Sequence, residues 1–260
     1  MVETTIDLKD VTWKRGQTTI LEQINWTVRK GEHWALLGLN GSGKTTILNI
    51  INGYIWPSKG KVSVLGHPFG TVDLRELRKS IGWVSSSLQE RIRPIETTQH
   101  VVISGLHASI GLYEKPTEEH EAKAFELMTR LDCGHLYDRM YQTCSQGEKQ
   151  KLLIARALMA SPELLILDEA CNGLDFMSRE ALLTSIGDLA KEDDAPTLIY
   201  VTHHVEEIIP VFSHSLFIRR GRVFTSGRTH EVLNHEQLSR FFETPVNLSW
   251  HNRRPWLSLV

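Results

Sequence analysis

The amino-acid sequence predicts an α/β protein with a mostly parallel sheet, an N-terminal antiparallel β part and an inserted α-helical part. Short apolar runs alternate with segments of helical periodicity near both ends of the chain. This pattern is typical of parallel strands that are buried on both faces. Two longer segments of alternating polarity precede the first apolar run and predict an antiparallel pair. Between about Leu88 and Ala160 only helical periodicity is found, which predicts an all-helical insertion.

The first half of the chain supplies the antiparallel pair and the first parallel strands. The segments VTWKR and TTILEQINWTV flank a turn at Gly16 and Gln17 and are predicted to pair. Three more strands and two helices are expected before Leu88. In chain order these are the strand HWALLGL, the helix TTILNIING that stops at Gly53, the strand KVSVLG, the helix VDLRELRKS and the strand IGWVSS.

Strands return after Pro162 and end before a tail without a regular pattern. ELLILD and TLIYVT are predicted strands on either side of a helix, SREALLTSIGDLAKE. SLFIRR and RVFTSG are predicted to form a hairpin across Gly221. The last sixteen residues, from Pro245, are expected to be irregular and to cover the core or bind a partner. Residues 1–260 are thus predicted to form one domain, with 88–160 as its helical subdomain.

The composition excludes several classes of protein. With 41 % hydrophobic and 23 % charged residues, the 260-residue chain has an average globular composition, unlike a disordered or coiled-coil protein. Its net charge of −2 gives no general attraction to nucleic acid. No signal peptide and no apolar run of about 18 residues is recognised. Together with three cysteines that lack CxxC spacing, this favours a cytoplasmic location, with another chain crossing any membrane that is served.

Residues 38–46 read GLNGSGKTT and fit a phosphate-binding loop, which makes the predicted core a P-loop NTPase. Glycines allow successive backbone N–H groups to face phosphate oxygens, and the helix that begins near Gly43 adds its positive end. Lys44 is expected at the β- and γ-phosphates, and the Thr45 hydroxyl is a hard ligand for Mg²⁺. The residues predicted to bind nucleotide are Gly38, Leu39, Asn40, Gly41, Ser42, Gly43, Lys44, Thr45 and Thr46.

Two later strands end in side chains that suit phosphate chemistry. One ends at Asp168 and Glu169, and the other is followed by His203. Ligands of open α/β sheets bind at the carboxyl ends of the strands. Because successive strand residues point in opposite directions, we assign Asp168 to Mg²⁺ and Glu169 to the attacking water as general base. His203 could bind the γ-phosphate or that water, or serve a structural role.

In this order the motifs resemble those of the ATP-binding subunits of ABC transporters, over nearly the whole chain. GLNGSGKTT matches the family's Walker A motif and LLILDE its Walker B motif. CSQGE, residues 144–148, stands at the place of the LSGGQ signature. NGLD, residues 172–175, matches the D-loop, and Thr202 with His203 matches the switch-histidine loop.

The resemblance implies an ATP hydrolase that uses Mg²⁺ and works as a head-to-tail homodimer. Each ATP would be held by the Walker A loop of one copy and covered by the signature of the other. Its catalytic residues would be Lys44, Glu169 and His203. The signature and D-loop residues expected to contact nucleotide are Ser145, Gln146, Gly147, Glu148 and Asp175. Ser145 is also a good N-cap for the helix that would present its positive end to phosphate.

The chain departs from the family pattern at three places. In the signature, Cys144, Gln146 and Glu148 replace the usual residues. The glutamine of the Q-loop is expected near Ser86, which could ligate Mg²⁺ weakly, and Gln89 could take over the glutamine's role.

The third departure concerns the aromatic residue that stacks on adenine in the family. Arg15 stands at this position, and Trp13 lies two residues before it. Either side chain can stack on a base. Trp13 is as readily interpreted as a core residue.

Two functions are compatible with these motifs. The resemblance implies that ATP hydrolysis energises a membrane permease, which would dock between the altered Q-loop and the helical insert. The chain would then lie on the cytoplasmic face of the membrane. The alternative is a soluble ABC-type ATPase with a scaffold or regulatory role. Chains of this size with one cassette most often serve transporters in the family, which favours the first function.

Overall fold

The computed structural model describes residues 3–107, 111–112 and 115–260, except for the side chains of Ser86 and His107. The chain divides into two compact units. Unit 1 comprises residues 1–78 and 197–260, and unit 2 comprises residues 79–196. Strands and helices alternate in the chain, so the predicted α/β class is confirmed.

Twelve strands are found in the described residues. They are β1 (Thr4–Arg15), β2 (Thr18–Arg29), β3 (Trp34–Leu37), β4 (Lys59–Val64), β5 (His67–Pro68), β6 (Ile81–Val84), β7 (Leu164–Asp168), β8 (Thr197–Thr202), β9 (His214–Arg219), β10 (Arg222–Arg228), β11 (Val246–His251) and β12 (Arg254–Leu259). Nine of them overlap predicted strands, and β5, β11 and β12 were not predicted.

Nine α-helices accompany them in the same residues. They are α1 (Lys44–Ile51), α2 (Leu74–Lys79), α3 (Ser86–Gln89), α4 (Thr98–Ile103), α5 (Glu118–Arg130), α6 (Gln146–Leu158), α7 (Phe176–Leu189), α8 (Thr229–Val232) and α9 (His235–Phe242). Short 3₁₀ turns lie at Ser104–His107, Gly134–Leu136, Tyr141–Thr143 and Val205–Glu207.

Unit 1 contains the predicted antiparallel β part. β1 pairs with β2 and with β4, in the order β2-β1-β4-β5. Ile6 and Leu8 of β1 and Leu21 and Ile24 of β2 lie in the core, each at most 1 % exposed. β1 begins at Thr4, seven residues before the predicted segment VTWKR. The predicted turn at Gly16 and Gln17 separates the two strands.

The parallel strands of unit 1 are arranged around β3. This strand pairs in parallel with β8 on one side and β9 on the other, and β10 pairs antiparallel with β9. All four residues of β3 are buried, which explains why its sequence is a continuous apolar run. At the carboxyl end of β3, Leu37 lies opposite Thr202 of β8 and Phe217 of β9. The segments that follow β3 and β8 therefore start side by side.

Unit 2 combines a parallel strand pair with most of the helices. β6 pairs in parallel with β7, with Val84 opposite Leu167. The described part of the predicted helical stretch forms α4, α5, α6 and three of the 3₁₀ turns. Thr117 caps α5 by accepting a hydrogen bond from the His120 N–H. The subdomain boundaries at 88 and 160 stay a prediction.

The expectation of an irregular tail after Pro245 is wrong. β11 and β12 pair antiparallel from Val246 opposite Leu259 to His251 opposite Arg254. Asn252 and Arg253 form the connecting turn, and both have a positive φ, 51° and 61°. This geometry suits the right-handed twist of a two-residue hairpin turn but is usually signalled by glycine. Pro255 lies within β12, and because proline is uncommon in strands, the sequence did not predict a strand there.

One glycine connects β2 to the loop between β3 and α1. The Gly221 N–H donates to the Ser42 carbonyl at 2.9 Å, and its carbonyl accepts from the Glu22 N–H at 2.8 Å. Gly221 has a φ of +74°, and a Cβ there would overlap the carbonyl oxygen of Ile20. Both the conformation and the space therefore require glycine.

Replacing Gly221 by alanine should lower the free energy of unfolding more than the same change at Gly66. Gly66 has the same φ of +74°, but a Cβ there meets no atom within 4 Å. Gly66→Ala should therefore cost only the left-handed backbone strain, about 1–2 kcal/mol. Gly221→Ala should cost about 1–3 kcal/mol more from overlap. Urea unfolding of both variants measures the difference, and equal costs would contradict the steric argument.

Candidate functional site

The predicted phosphate loop lies between β3 and α1. Gly43 precedes the first helical residue, Lys44, with a φ of +108°, so the predicted helix start is confirmed. A Cβ on Gly43 would lie 2.6 Å from Leu21 Cδ2 of β2. A Cβ on Gly38 would lie 3.2 Å from Lys44 Cδ and 3.0 Å from the Ile218 carbonyl oxygen. Glycine at these positions lets the loop close tightly over the end of β3.

The Lys44 ammonium is held inside this loop. The residue is 6 % exposed, and its Nζ donates to the Gly38 carbonyl at 2.6 Å and to the Leu39 carbonyl at 3.5 Å. A buried cation at the centre of a loop of backbone groups attracts an anion strongly, because little water screens it. The contact of Lys44 with phosphate stays a prediction, and its buried position in the loop is consistent with it.

Ser42 places a buried hydroxyl group in this loop. Its Oγ is buried and makes no hydrogen bond to any residue that the structure describes. The Ser42 N–H donates to the Leu39 carbonyl at 3.1 Å, which closes the loop. Buried hydroxyl groups are nearly always hydrogen-bonded, so this atom fits a loop that receives a polar ligand. Gly41, which precedes it, has a φ of +75°.

His203 starts beside the phosphate loop, because β3 and β8 end together. The Gly38 N–H donates to the Thr202 carbonyl at 3.3 Å, so the loop and the residue before His203 are joined directly. The His203 ring lies against that of His204, with 4.1 Å between centroids. His203 is half-buried and His204 is exposed. The loop that contains Lys44 and the segment that contains His203 thus follow neighbouring strands.

The candidate adenine residues lie at the β1–β2 turn. Trp13 is half-buried and lies opposite Leu21, whose side chain packs on Gly43. Arg15 is exposed and lies opposite Thr18. Both side chains are on the strand pair next to the phosphate loop. Which of them stacks on a base stays open.

Asp168 and Glu169 follow one another at the carboxyl end of β7 in unit 2. Both are half-buried, as expected for acids that leave a buried strand. Glu169 has a φ of +52°, in the left-handed region that side chains rarely adopt. The Glu169 carbonyl accepts a hydrogen bond from the Asn172 N–H at 3.0 Å, which helps to hold this turn. Strained backbone of this kind is often found at functional sites.

The signature residues form a capping box at the start of α6, which confirms Ser145 as the N-cap. The Ser145 hydroxyl accepts from the Glu148 N–H at 3.3 Å, and the Glu148 carboxylate accepts from the Ser145 N–H at 2.6 Å. Partial burial raises the pKa of Glu148, but these hydrogen bonds and the nearby Arg139 and His135 lower it below the ordinary value. Ser145 and Gln146 are exposed, and Gly147 is buried.

Ser178 lies between Asp175, the D-loop residue, and Gly147 of the signature. The Asp175 carboxylate caps α7 by accepting from the Ser178 N–H at 3.0 Å and from its hydroxyl at 2.7 Å. These bonds hold the pKa of Asp175 below its ordinary value. A Cβ on Gly147 would lie 3.1 Å from Ser178 Cβ, so the first turns of α6 and α7 are in contact. Gly147 makes this close approach possible.

Gln89, the proposed replacement for the Q-loop glutamine, is bound to α6. Its Nε2 donates to Gln146 Oε1 at 3.0 Å, and its Oε1 accepts from Gln150 Nε2 at 3.0 Å. Sequence reasoning missed this contact, although glutamines four residues apart on one helix face were a signal. The side chain of Ser86, the other candidate, lies outside the described part of the structure.

Two residues that are predicted to bind magnesium, Thr45 and Asp168, can be described in the structure. Among the described residues no three His, Cys, Asp or Glu side chains cluster as a metal site. Thr45 in α1 is exposed and Asp168 is half-buried, and both offer the hard oxygen atoms that Mg²⁺ prefers. The donor chemistry of each of these side chains fits Mg²⁺. None of the described helices has the length and apolarity needed to cross a membrane.

Comparisons with known proteins agree with the motifs. Residues 21–172 match the family model described as ABC transporter. An uncharacterized ABC transporter ATP-binding protein of Bacillus subtilis (strain 168), YlmA, is 48 % identical over 254 residues, 97 % of this chain and 96 % of the relative.

Two solved structures are similar in fold. One is an inward-facing ABC transporter of metal-chelate type, with a TM-score of 0.79, 24 % identity and coverage of 99 % of this chain and 97 % of that chain. The other is a dimeric ATP-binding cassette in a post-hydrolysis state bound to ADP and Pi, with a TM-score of 0.73 and 25 % identity. The alignment covers 86 % of this chain and 98 % of the cassette.

These matches extend over most of the chain and include the phosphate loop, β7 and the signature helix. They confirm the predicted P-loop NTPase fold and the predicted membership in the ABC transporter family. The chain therefore belongs to the family of ABC transporter ATP-binding subunits and is an ATP hydrolase.

Proposed function

We propose that two copies of this chain bind two Mg·ATP head to tail, and that hydrolysis energises a membrane permease. The observation that carries the proposal is the capped start of α6, where Ser145 and Gln146 are exposed. The positive end of a 13-residue helix binds anions. The phosphate loop with Lys44 belongs to unit 1 and α6 to unit 2. In the proposed dimer, each copy gives its phosphate loop to one ATP and the start of its α6 to the other. The dimeric cassette described above supports such an assembly.

The Mg²⁺ ion would be held by the Thr45 hydroxyl and the Asp168 carboxylate. When bound, it neutralises charge on the β- and γ-phosphate oxygens. The Lys44 ammonium stabilises the charge that grows on the γ-phosphoryl oxygens as the bond to ADP breaks. Signature residues Ser145 and Gly147 of the second copy cover the same phosphate.

Glu169 and His203 act on the attacking water. Glu169 accepts a proton from the water while the oxygen of the water forms a bond to the γ-phosphorus. At the same time the bond between the γ-phosphorus and the β–γ bridging oxygen breaks, and ADP leaves. His203 orients the water or the γ-phosphate by a hydrogen bond. With phosphate released, nothing holds the positive ends of the two α6 helices, and the copies separate. This cycle of closing and opening would move the permease.

Replacing Lys44 by alanine should weaken ATP binding by about 10- to 100-fold. A hydrogen bond to a charged group is worth about 1.5–3 kcal/mol, and each 1.4 kcal/mol is tenfold in affinity. Titration with a fluorescent ATP analogue measures the change. Lys61→Ala, on an exposed lysine of β4 in the same unit, is the matched control and should bind normally. Unchanged affinity of Lys44→Ala would contradict the assigned phosphate contact.

Replacing Glu169 by glutamine should stop turnover while stabilising the dimer. Glutamine keeps the shape of the side chain but cannot accept the proton, so kcat should fall by about 100-fold or more. Mg·ATP should then convert the variant to a stable dimer in light-scattering chromatography. The control is Glu163→Gln, an exposed acid just before β7.

Two results would contradict this part of the proposal. Near wild-type hydrolysis by Glu169→Gln would remove Glu169 from the role of general base. A variant that binds Mg·ATP, does not hydrolyse it and stays monomeric would exclude the head-to-tail dimer.

A permease should be recovered with the chain from detergent-solubilised membranes of its native cells. Ile95, between α3 and α4, is 70 % exposed and lies in the region predicted to meet the permease. Ile95→Asp should abolish recovery of the integral membrane protein without changing hydrolysis by the isolated chain. Val260→Asp, at a residue 78 % exposed, is the control. Absence of any membrane protein from the wild-type sample would favour a role without transport.

A further inference from the structure

The segment after His203 is held from inside the protein by a buried carboxylate. Glu207 is 4 % exposed, and its Oε2 accepts from the Thr202 hydroxyl at 2.6 Å and from the Tyr200 hydroxyl at 2.9 Å. Hydrogen bonds to a buried charge are among the stronger ones in proteins. Glu207 thus fastens the 3₁₀ turn Val205–Glu207 to the end of β8.

His203 lies within a closed ring of hydrogen bonds. The Thr202 hydroxyl donates to Glu207 and also accepts from the His204 N–H at 3.0 Å. The Glu207 N–H donates to the His204 carbonyl at 3.3 Å. Residues on both sides of His203 are therefore fixed, so the direction of its side chain depends on this turn.

The C-terminal hairpin holds the same turn from outside. β12 packs against Val205–Glu207, and Arg254 Nε donates to the Glu206 carbonyl. The Arg254 guanidinium lies 5.2 Å from the centre of the Trp256 ring, an attractive contact that limits its movement. The hairpin thus places a donor on the backbone of a segment that begins at the phosphate loop.

We propose that Arg254 is a positioning residue for ATP hydrolysis, acting through the Glu206 carbonyl and the 202–207 turn on His203. The chain of contacts runs from β12 to Glu206, then to Glu207 and Thr202, whose carbonyl accepts from the Gly38 N–H. This inference rests on the proposed role of His203. It assigns to the hairpin an effect on turnover rather than on nucleotide binding.

Three variants separate this role from general stabilisation. Arg254→Leu keeps much of the apolar stem but has no donor, and should lower kcat by about fivefold, the value of one hydrogen bond. Its KM for ATP should stay within about twofold, because the phosphate loop is unaltered. Arg254→Gln places an amide N–H at the position of Nε and should retain most of kcat. Arg253→Leu, at the exposed neighbour in the hairpin turn, should match the wild type.

The His203→Ala background tests the route of the effect. If Arg254 acts through His203, Arg254→Leu should not lower the residual rate of His203→Ala further, whereas a loss of folded protein would lower both rates alike. Equal kcat for Arg254→Leu and wild type, or equal loss in the leucine and glutamine variants, would overturn the inference. If His203→Ala itself hydrolyses ATP normally, the proposed role of His203 fails instead.

Discussion

The parallel pairing of β3 with β8 is the constraint on which the candidate phosphate site of unit 1 depends. Because parallel strands end at the same edge, the segments after Leu37 and Thr202 leave the sheet together. The Gly38 N–H then bonds the Thr202 carbonyl directly. All four residues of β3 are buried between its two neighbours, so the strand is held on both sides by parallel pairing. The relative position of the phosphate loop and the segment that contains His203 thus follows from strand pairing.

In unit 2, the residues at the places of the signature and the D-loop lie at helix ends. The capping box at Ser145 and the carboxylate cap at Asp175 fix the first turns of α6 and α7, and Gly147 lets these turns approach closely. Gln89 adds a contact from α3 to the same end of α6. Although this chain departs from the family signature, the start of α6 is still capped. Glu148 replaces the usual glutamine yet completes the box, so an exposed and rigid helix start is kept.

The α/β class, the parallel strands and the phosphate loop could be predicted because each follows from local pattern: apolar runs, glycine spacing and an N-cap. The β11–β12 hairpin could not, because its turn uses Asn252 and Arg253 in place of glycine and Pro255 interrupts the strand pattern. The hydrogen bonds that Glu207 accepts could not be predicted either. A carboxylate that accepts from two hydroxyls inside the core differs from a surface glutamate only in tertiary contacts, which short-range sequence patterns do not contain.

The left-handed conformation of Glu169 limits how this position can change over evolutionary time. At a φ of +52°, glycine or asparagine would relax the main chain, and β-branched residues would be disfavoured most. Aspartate would relax it too and keep a carboxylate, one methylene closer to the main chain. Folding alone would therefore favour residues with a shorter side chain, and glutamate occupies this position at a cost in backbone energy.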